Sequence, residues 1–265
     1  MKKILVQGLL ITLMFFTTWF LLKQINWMST FKVQEVTDQT EEKLGDLFWN
    51  IFNKTETENN NKFIIKTVDS LVNKICLEND IDRKLIKFHI LNNEEINAFA
   101  LPNGHLVIYS GLINATDNPD ELSGVICHEI AHITHNHVMK KLVKEVGLSV
   151  LISMTTGNGS AETIKETAKM LSSSAFDRKL EKEADIIAVD YLVNAKINPE
   201  PFADFLYKLS NKEHEVMKHF SWIGTHPDTK ERAEYIIEYS SDKLKIFKPV
   251  LTNETWFHLK DLIKD

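Results

Sequence analysis

The sequence predicts an α+β protein that is mainly helical, with a small antiparallel β-sheet and one amino-terminal transmembrane helix. Apolar residues recur at helical spacing in several separate segments, for example from Phe63 to Leu77. One segment instead reads as a β-hairpin, because β-rich residues flank the turn-forming run Pro102-Asn103-Gly104. A third pattern is the uncharged, apolar segment from Ile4 to Leu22.

The segment at residues 4–22 is long enough to cross a hydrocarbon core of about 30 Å. A cleaved signal peptide is the alternative, but its apolar region is shorter, about 7–15 residues, and ends in a small-residue cleavage site. Residues 20–24 offer no such site. Because Lys2 and Lys3 precede the segment, we expect residues 1–3 in the cytoplasm and the remainder outside it, in the periplasm of a Gram-negative source.

The remaining residues suit one domain with a stalk. We assign residues 23–61 to a stalk and helical linker, and residues 62–265 to a single domain. The net charge of -6 and the pI near 5.9 argue against a nucleic-acid partner, because no basic patch stands out. Two cysteines, Cys76 and Cys127, exclude a disulfide scaffold.

The elements follow in order along the chain. Residues 33–52 form a charged amphipathic stretch, and a helix is expected from Phe63 to Leu77. Three β-rich segments come next, at residues 85–91, 97–101 and 106–109. The apolar segment at residues 143–154 is too short to span a bilayer. It is core by default, and a lid or membrane-lying segment is the alternative.

The stretch His128-Glu129-Ile130-Ala131-His132 is the strongest candidate for chemistry. Asn118 and Pro119 give a helix start, and the helical pattern is expected to run on through Lys141. On a helix, histidines four residues apart point the same way and can hold one zinc at about 2.0–2.1 Å. Glu129 then lies where it can accept a proton from water.

A third zinc ligand is needed, because catalytic zinc sites use three protein ligands. A histidine on the same segment would fall at Val138, so that option fails. A carboxylate from the charged segment at residues 176–185 is the other option. Glu181 and Asp185 share a helix face, so one could bind zinc while the other orients a ligand histidine. Glu183 remains a rival for Glu181.

Four motifs occur in the order of one peptidase family, and together the chain resembles the gluzincin zinc metallopeptidases of the CAAX prenyl protease, HtpX, Oma and BepA type, most closely the single-anchor periplasmic BepA-type members. The motifs are Asn97-Ala98-Phe99-Ala100-Leu101-Pro102-Asn103-Gly104, His128-Glu129-x-x-His132, Glu181-x-x-Ala184-Asp185, and Thr225-His226-Pro227 with Arg232.

The resemblance implies a zincin-like helical domain that binds one zinc per chain, with the sheet beside the active-site cleft. It implies His128, His132 and Glu181 as metal ligands, and Glu129 and His226 as catalytic residues. His226 would be either an oxyanion donor or an inhibitory fourth ligand. The resemblance also places Asn97 and Ala98 on a substrate-binding strand, whose edge would pair with an extended peptide. Asp185 and Arg232 would support the ligands.

The function expected from these features is a membrane-anchored zinc endopeptidase that acts on unfolded or misassembled envelope proteins. Its partners would be polypeptide substrates and the membrane, with no nucleic acid. The alternative is a zinc-binding chaperone-like or self-inhibited module with little proteolytic activity. An intact set of His128, Glu129, His132 and Glu181 favours the enzyme.

Overall fold

The computed structural model describes residues 7, 8, 12, 14, 16, 17, 33–212, 221–243 and 246–264. The chain divides into two compact units, residues 1–41 and residues 42–265. The elements are α1 (Val33–Thr55), α2 (Lys62–Glu78), β1 (Lys87–Leu91), β2 (Ala98–Leu101), β3 (His105–Tyr109), α3 (Ser110–Ala115), α4 (Pro119–Thr134), α5 (His137–Glu145), α6 (Leu148–Thr155), α7 (Ala161–Ser173), α8 (Arg178–Asn194), α9 (Glu200–Lys212), α10 (Ser221–Thr225), α11 (Thr229–Ser240) and α12 (Asn253–Lys264). A short 3₁₀ turn, Arg83–Leu85, precedes β1. The prediction of a mainly helical chain with one small sheet is confirmed.

The second compact unit begins earlier than the domain start expected at residue 62. Leu44, Phe48 and Phe52 of α1 are buried and pack with the sheet and with α5 and α6. Their spacing of four residues places them on one face of the helix. Part of the predicted stalk is therefore core.

The sheet has the strand order β1-β3-β2. β2 and β3 form the predicted antiparallel hairpin, but β1 pairs with β3 in parallel, so the prediction of a wholly antiparallel sheet was wrong. β1 and β2 run in opposite directions and do not pair with each other. After the hairpin turn, β3 lies between them and pairs with both. All five residues of β3 are buried, as expected for a strand that is paired along both edges.

Both faces of the sheet are covered, and β3 shows how. Leu106 and Ile108 belong to a core cluster with α2, α4, α8 and α9. Val107 and Tyr109 belong to a second cluster with α1, α5, α6 and α7. This alternation follows from the period of two along a strand. The sheet thus separates two apolar cores and has the motif helix on one side.

Helix α4 carries the His128-Glu129-x-x-His132 motif and begins as expected. The side chain of Asn118 accepts a hydrogen bond from the Glu121 amide at 2.9 Å, and Pro119 occupies the first turn. The helix ends at Thr134, so the prediction that it continues through Lys141 was wrong. Asn136 adopts a left-handed conformation with φ of 56°, and α5 restarts at His137. Asparagine can adopt this conformation, so the helix ends here without a glycine that would mark the end in the sequence.

Most of the predicted anchor at residues 4–22 lies outside the described residues. Within the described ranges, no helix has the length and hydropathy needed to cross a membrane. Cys76 and Cys127 are both buried free thiols.

Candidate metal centre

Four buried side chains from three parts of the chain converge on one point. Helix α4 supplies His128 and His132, whose Nε2 atoms lie 3.0 Å apart. Helix α8 supplies Glu181, and the turn after α10 supplies His226. One potential ligand atom from each of the four lies within 4.8 Å of all the others. Such a set of two histidines, a glutamate and a third histidine suits zinc.

The outer nitrogens of the two motif histidines are held by other groups. The Nδ1 atom of His128 lies 2.8 Å from Oδ1 of Asp185, and that of His132 lies 3.1 Å from Nδ1 of His137. Each contact fixes the ring so that Nε2 points towards the shared centre. Partners of this kind are what ligand histidines in metal sites normally have. The residues present therefore fit a zinc ion.

Glu181 and its rival Glu183 are clearly separated. The carboxylate oxygens of Glu181 lie 3.4 Å from Nε2 of His132 and 3.6 Å from Nε2 of His128. Glu183 points elsewhere: its Oε2 lies 3.6 Å from Nε2 of His137, and its side chain is 41% exposed. Helix geometry explains this, because residues two apart on a helix face different directions.

Arg232 of α11 links the acidic residues to the His226 turn. Its guanidinium donates to both oxygens of Asp185 at 2.8 Å and to the carbonyl of His226 at 3.0 Å, and Nη1 lies 3.0 Å from Oε2 of Glu181. Burial alone would raise the pKa of the Asp185 carboxyl, but Arg232 and His128 outweigh it and hold that pKa below its usual range. The same balance, set by His226 and Arg232, holds the pKa of Glu181 well below normal. Both carboxylates are therefore ionised.

His226 lies among the ligand atoms rather than at the edge of the site. Its backbone N–H donates to the carbonyl of Trp222 at 2.8 Å, which fixes the turn. Its Nδ1 atom lies 2.9 Å from Oε1 of Glu181 and 3.2 Å from Nε2 of His128. Burial disfavours its charged form, but Glu181 and Glu129 outweigh burial and raise the pKa of His226 to about 9.

Glu129 is fully buried beside this group. Its Oε1 accepts a hydrogen bond from the indole N–H of Trp222 at 3.3 Å and lies 3.3 Å from Nε2 of His226. Its Oε2 atom has no hydrogen-bond partner within the described part of the chain. Burial raises the pKa of Glu129, but His226 outweighs it and lowers that pKa overall. The result is a carboxylate with one free oxygen.

Ala98 is the first residue of β2, an edge strand of the sheet, and Asn97 directly precedes it. The carbonyl of Asn97 accepts from the Tyr109 amide at 3.0 Å. In an antiparallel ladder inward and outward residues alternate, so the backbone groups of Ala98 and Ala100 face the outer edge. Asn97 and Ala98 are each 1% exposed. The side-chain amide of Asn97 donates to the carbonyl of Ser172 in α7 at 3.3 Å.

His137 holds His132 through a ring contact, as expected for a histidine that hydrogen-bonds rather than binds metal. Two residues of the site escaped the sequence reasoning: Trp222 holds Glu129, and the ring of Phe176 stacks on the His132 ring with centroids 4.1 Å apart. Phe176 flanks a recognised motif, which is the only signal that pointed to it. Trp222 carried no signal, because its contact with Glu129 spans a long stretch of chain.

Comparisons with known proteins agree with this geometry. The model of Peptidase family M48 matches residues 64–240. The chain is 29% identical over 172 residues to the beta-barrel assembly-enhancing protease of Yersinia pestis, covering 60% of this chain and 35% of that protein. It is 30% identical over 178 residues to the metalloprotease LoiP of Escherichia coli (strain K12), covering 64% of this chain and 69% of that protein. The matched part thus spans well under half of the first relative and about two thirds of the second.

Proposed function

The chain belongs to peptidase family M48, a family of zinc metalloendopeptidases, and we propose that it is a membrane-anchored endopeptidase that hydrolyses peptide bonds of unfolded or misassembled envelope proteins. One observation carries the catalytic part of this proposal. The ligand atoms of His128, His132 and Glu181 converge, and Glu129 lies beside them with a free carboxylate oxygen. Zinc is the cofactor.

The residues divide the work of hydrolysis between them. His128, His132 and Glu181 would hold the zinc, which when bound supplies a Lewis acid that activates water and polarises a carbonyl. Glu129 is ionised and its Oε2 has no hydrogen-bond partner among the described residues, so it can accept a proton from the attacking water. Glu129 then returns that proton to the leaving amine. Asp185 and Arg232 keep His128, Glu181 and the His226 turn in position.

His226 could act as an inhibitory fourth ligand or as an oxyanion donor, and its position in this structure supports the first role. Its Nδ1 atom lies as close to the ligand atoms of Glu181 and His128 as those ligands lie to one another. This supports a fourth-ligand role that occupies the place of the attacking water. When the turn moves away, the imidazole could instead donate to the oxyanion. A gain of activity in His226→Ala supports the first role, and a loss supports the second.

The outer edge of β2 supports a peptide substrate. The outward backbone groups of Ala98 and Ala100 offer the hydrogen bonds that an extended chain would use. Recognition through the backbone tolerates many side chains, which suits unfolded substrates. The relatives named beta-barrel assembly-enhancing protease support envelope proteins as the substrate class.

Membrane anchoring rests on the sequence of residues 4–22, which is apolar and uncharged. We place the anchor as a single span with the catalytic domain on the extracytoplasmic side. Extraction of membranes at alkaline pH tests the anchor, since a spanning helix stays in the pellet. Release of the full-length chain into the supernatant would contradict it.

Cleavage of an unfolded protein such as casein tests the enzymatic proposal. The wild-type chain with zinc should cleave it, a chelator should stop cleavage, and Glu129→Gln should bind zinc without turnover. A Glu129→Gln chain that cleaves at the wild-type rate would refute the mechanism.

The burial of all four ligand residues favours one second candidate, a self-inhibited zinc-binding module. Absence of turnover in the wild type and in His226→Ala, each with one bound zinc, would favour a chaperone-like binding module, whereas turnover in His226→Ala alone would favour self-inhibition by His226.

A further inference from the structure

A short segment between α7 and α8 covers the metal centre, and we call residues 174–177 the strap. Phe176 is its central side chain and is 6% exposed. The Phe176 ring stacks on His132 at a centroid distance of 4.1 Å and on His226 at 5.9 Å, with interplanar angles of 27° and 19°. The Phe176 amide donates to the carbonyl of Thr225, next to His226, at 3.3 Å. The strap thus touches a motif histidine and the His226 turn together.

Lys141 of α5 holds this strap from the side. Its ammonium donates a hydrogen bond to the carbonyl of Ser174 and lies 4.2 Å from the centroid of the Phe176 ring. Lys141 is 4% exposed, and its ammonium forms no ion pair with a carboxylate in the described ranges. Burial lowers the pKa of Lys141 to about 8, although Glu181 and Glu145 oppose that effect. A buried ammonium is costly, and among the described residues its hydrogen-bond and cation–π partners belong to the strap.

The far end of the strap is held by a weaker contact from the same helix. Lys144 lies 2.7 Å from Oδ1 of Asp177, with both side chains more than half exposed. Exposed ion pairs contribute little, so Lys141 is the principal support. Helix α5 therefore reaches both ends of the strap, one helical turn apart.

Helix α7, which leads into the strap, is joined to the sheet edge. The side-chain amide of Asn97 donates to the carbonyl of Ser172, two residues before the strap begins. The helix that contacts the edge of the sheet therefore continues directly into the segment that covers the metal centre.

We propose that the strap is a gate over the metal centre, with Phe176 as the closing side chain and Lys141 as the positioning residue that keeps it closed. A stacked ring, a cation–π contact and a few hydrogen bonds are individually modest, so closure is reversible. That the gate admits an extended peptide rests on the proposed function. That the gate closes over bound zinc does not depend on the proposed function.

Transfer of zinc from the loaded full-length chain in detergent to a chromogenic chelator tests the gate. Lys141→Met and Phe176→Leu should each release zinc at least fivefold faster than wild type. Lys141→Arg keeps a buried cation and should stay within twofold. Lys140→Met, an exposed lysine on the same helix, is the matched control and should release at the wild-type rate. Circular dichroism selects the variants that are folded.

Wild-type release rates in folded Lys141→Met and Phe176→Leu would overturn the gate. If one of these does not fold, the other decides. Release can be repeated in Glu129→Gln chains, which separates the gate from peptide hydrolysis. Faster release without turnover in any chain would keep the gate and remove the proposed peptidase. Where turnover occurs, an open gate should lower KM for a casein peptide at least threefold with little change in kcat.

Discussion

The imidazole of His128 is oriented by Asp185, whose Oδ1 atom lies 2.8 Å from its Nδ1. The two residues come from different helices, α4 and α8, and both are fully buried. Arg232 holds the same carboxylate through two hydrogen bonds, so Asp185 cannot rotate away. The direction of a metal ligand is thus set by the packing of α8 and α11 against α4.

Asp185→Asn should weaken zinc binding by about 10- to 100-fold, because supporting partners of ligand histidines typically contribute that much. The amide keeps the shape but removes the charge that faces His128 and Arg232. Competition with a chelator of known affinity measures the change. Asp190→Asn is a matched control on the same helix, since Asp190 bonds Lys243 and Tyr239 outside the metal centre. Equal affinities for both variants would contradict the assigned role of Asp185.

The two glutamates near the start of α8 provide a second test. Glu181→Gln should reduce bound zinc to well below one ion per chain at micromolar zinc, because a neutral amide is a poor ligand for zinc. Glu183→Gln should retain a full equivalent, since that side chain is partly exposed and faces His137. Atomic absorption measures the zinc that remains bound to each variant after gel filtration. Zinc loss in Glu183→Gln alone would reverse the ligand assignment.

The motif helix and the hairpin were predictable because their signals are local. Asn118 and Pro119 start the helix, and Asn103 and Gly104 both take positive φ in the predicted turn. The break at Asn136 was not predictable, since asparagine adopts either conformation. The parallel pairing of β1 with β3 was not predictable either. The alternation of residues along one strand shows which face is buried, but not which strand lies next to it.

The candidate centre was predictable wherever a motif fixed the spacing within one helix. His128, Glu129 and His132 needed only helical geometry. By contrast, the contacts of Lys141 with Ser174 and of Trp222 with Glu129 join distant parts of the chain. Lysine and tryptophan occur at many surface and core positions, so the residue types alone do not predict these contacts. The contacts become visible only in the packed structure.

Stability should fall on acidification because of a buried histidine away from the metal centre. Burial lowers the pKa of His105 to about 3, with His89 and Lys87 adding to that effect. His105 contacts His89 at 2.9 Å, and Asp46 lies 3.9 Å from its Nε2, which has no hydrogen-bond partner in the described residues. Glu58 bonds the far side of His89 and Trp49 stacks on both rings.

The unfolded chain binds a proton at His105 near pH 6.5, whereas the folded chain does so only near pH 3. The contribution of His105 is therefore complete above about pH 6.5 and is lost progressively as the pH falls towards 3. Between pH 6.5 and pH 5 the loss is about 1–2 kcal/mol. Urea unfolding at several pH values should show it, and His105→Gln should flatten the dependence. An equally steep dependence in His105→Gln would assign the effect to other groups.

Gly104 should resist substitution because two separate costs meet there. Its φ is 72°, and an added Cβ would lie 1.7 Å from the carbonyl oxygen of Leu85. Gly157, with φ of 83° and open space around it, bears only the first cost. Gly157→Ala should therefore destabilise the fold by about 1–2 kcal/mol, the cost of left-handed backbone for a residue with a side chain. Gly104→Ala should cost about 1–3 kcal/mol more, as overpacking does. Urea midpoints at fixed pH and zinc compare the two variants, and equal losses would show that the β2–β3 turn relaxes away from Leu85.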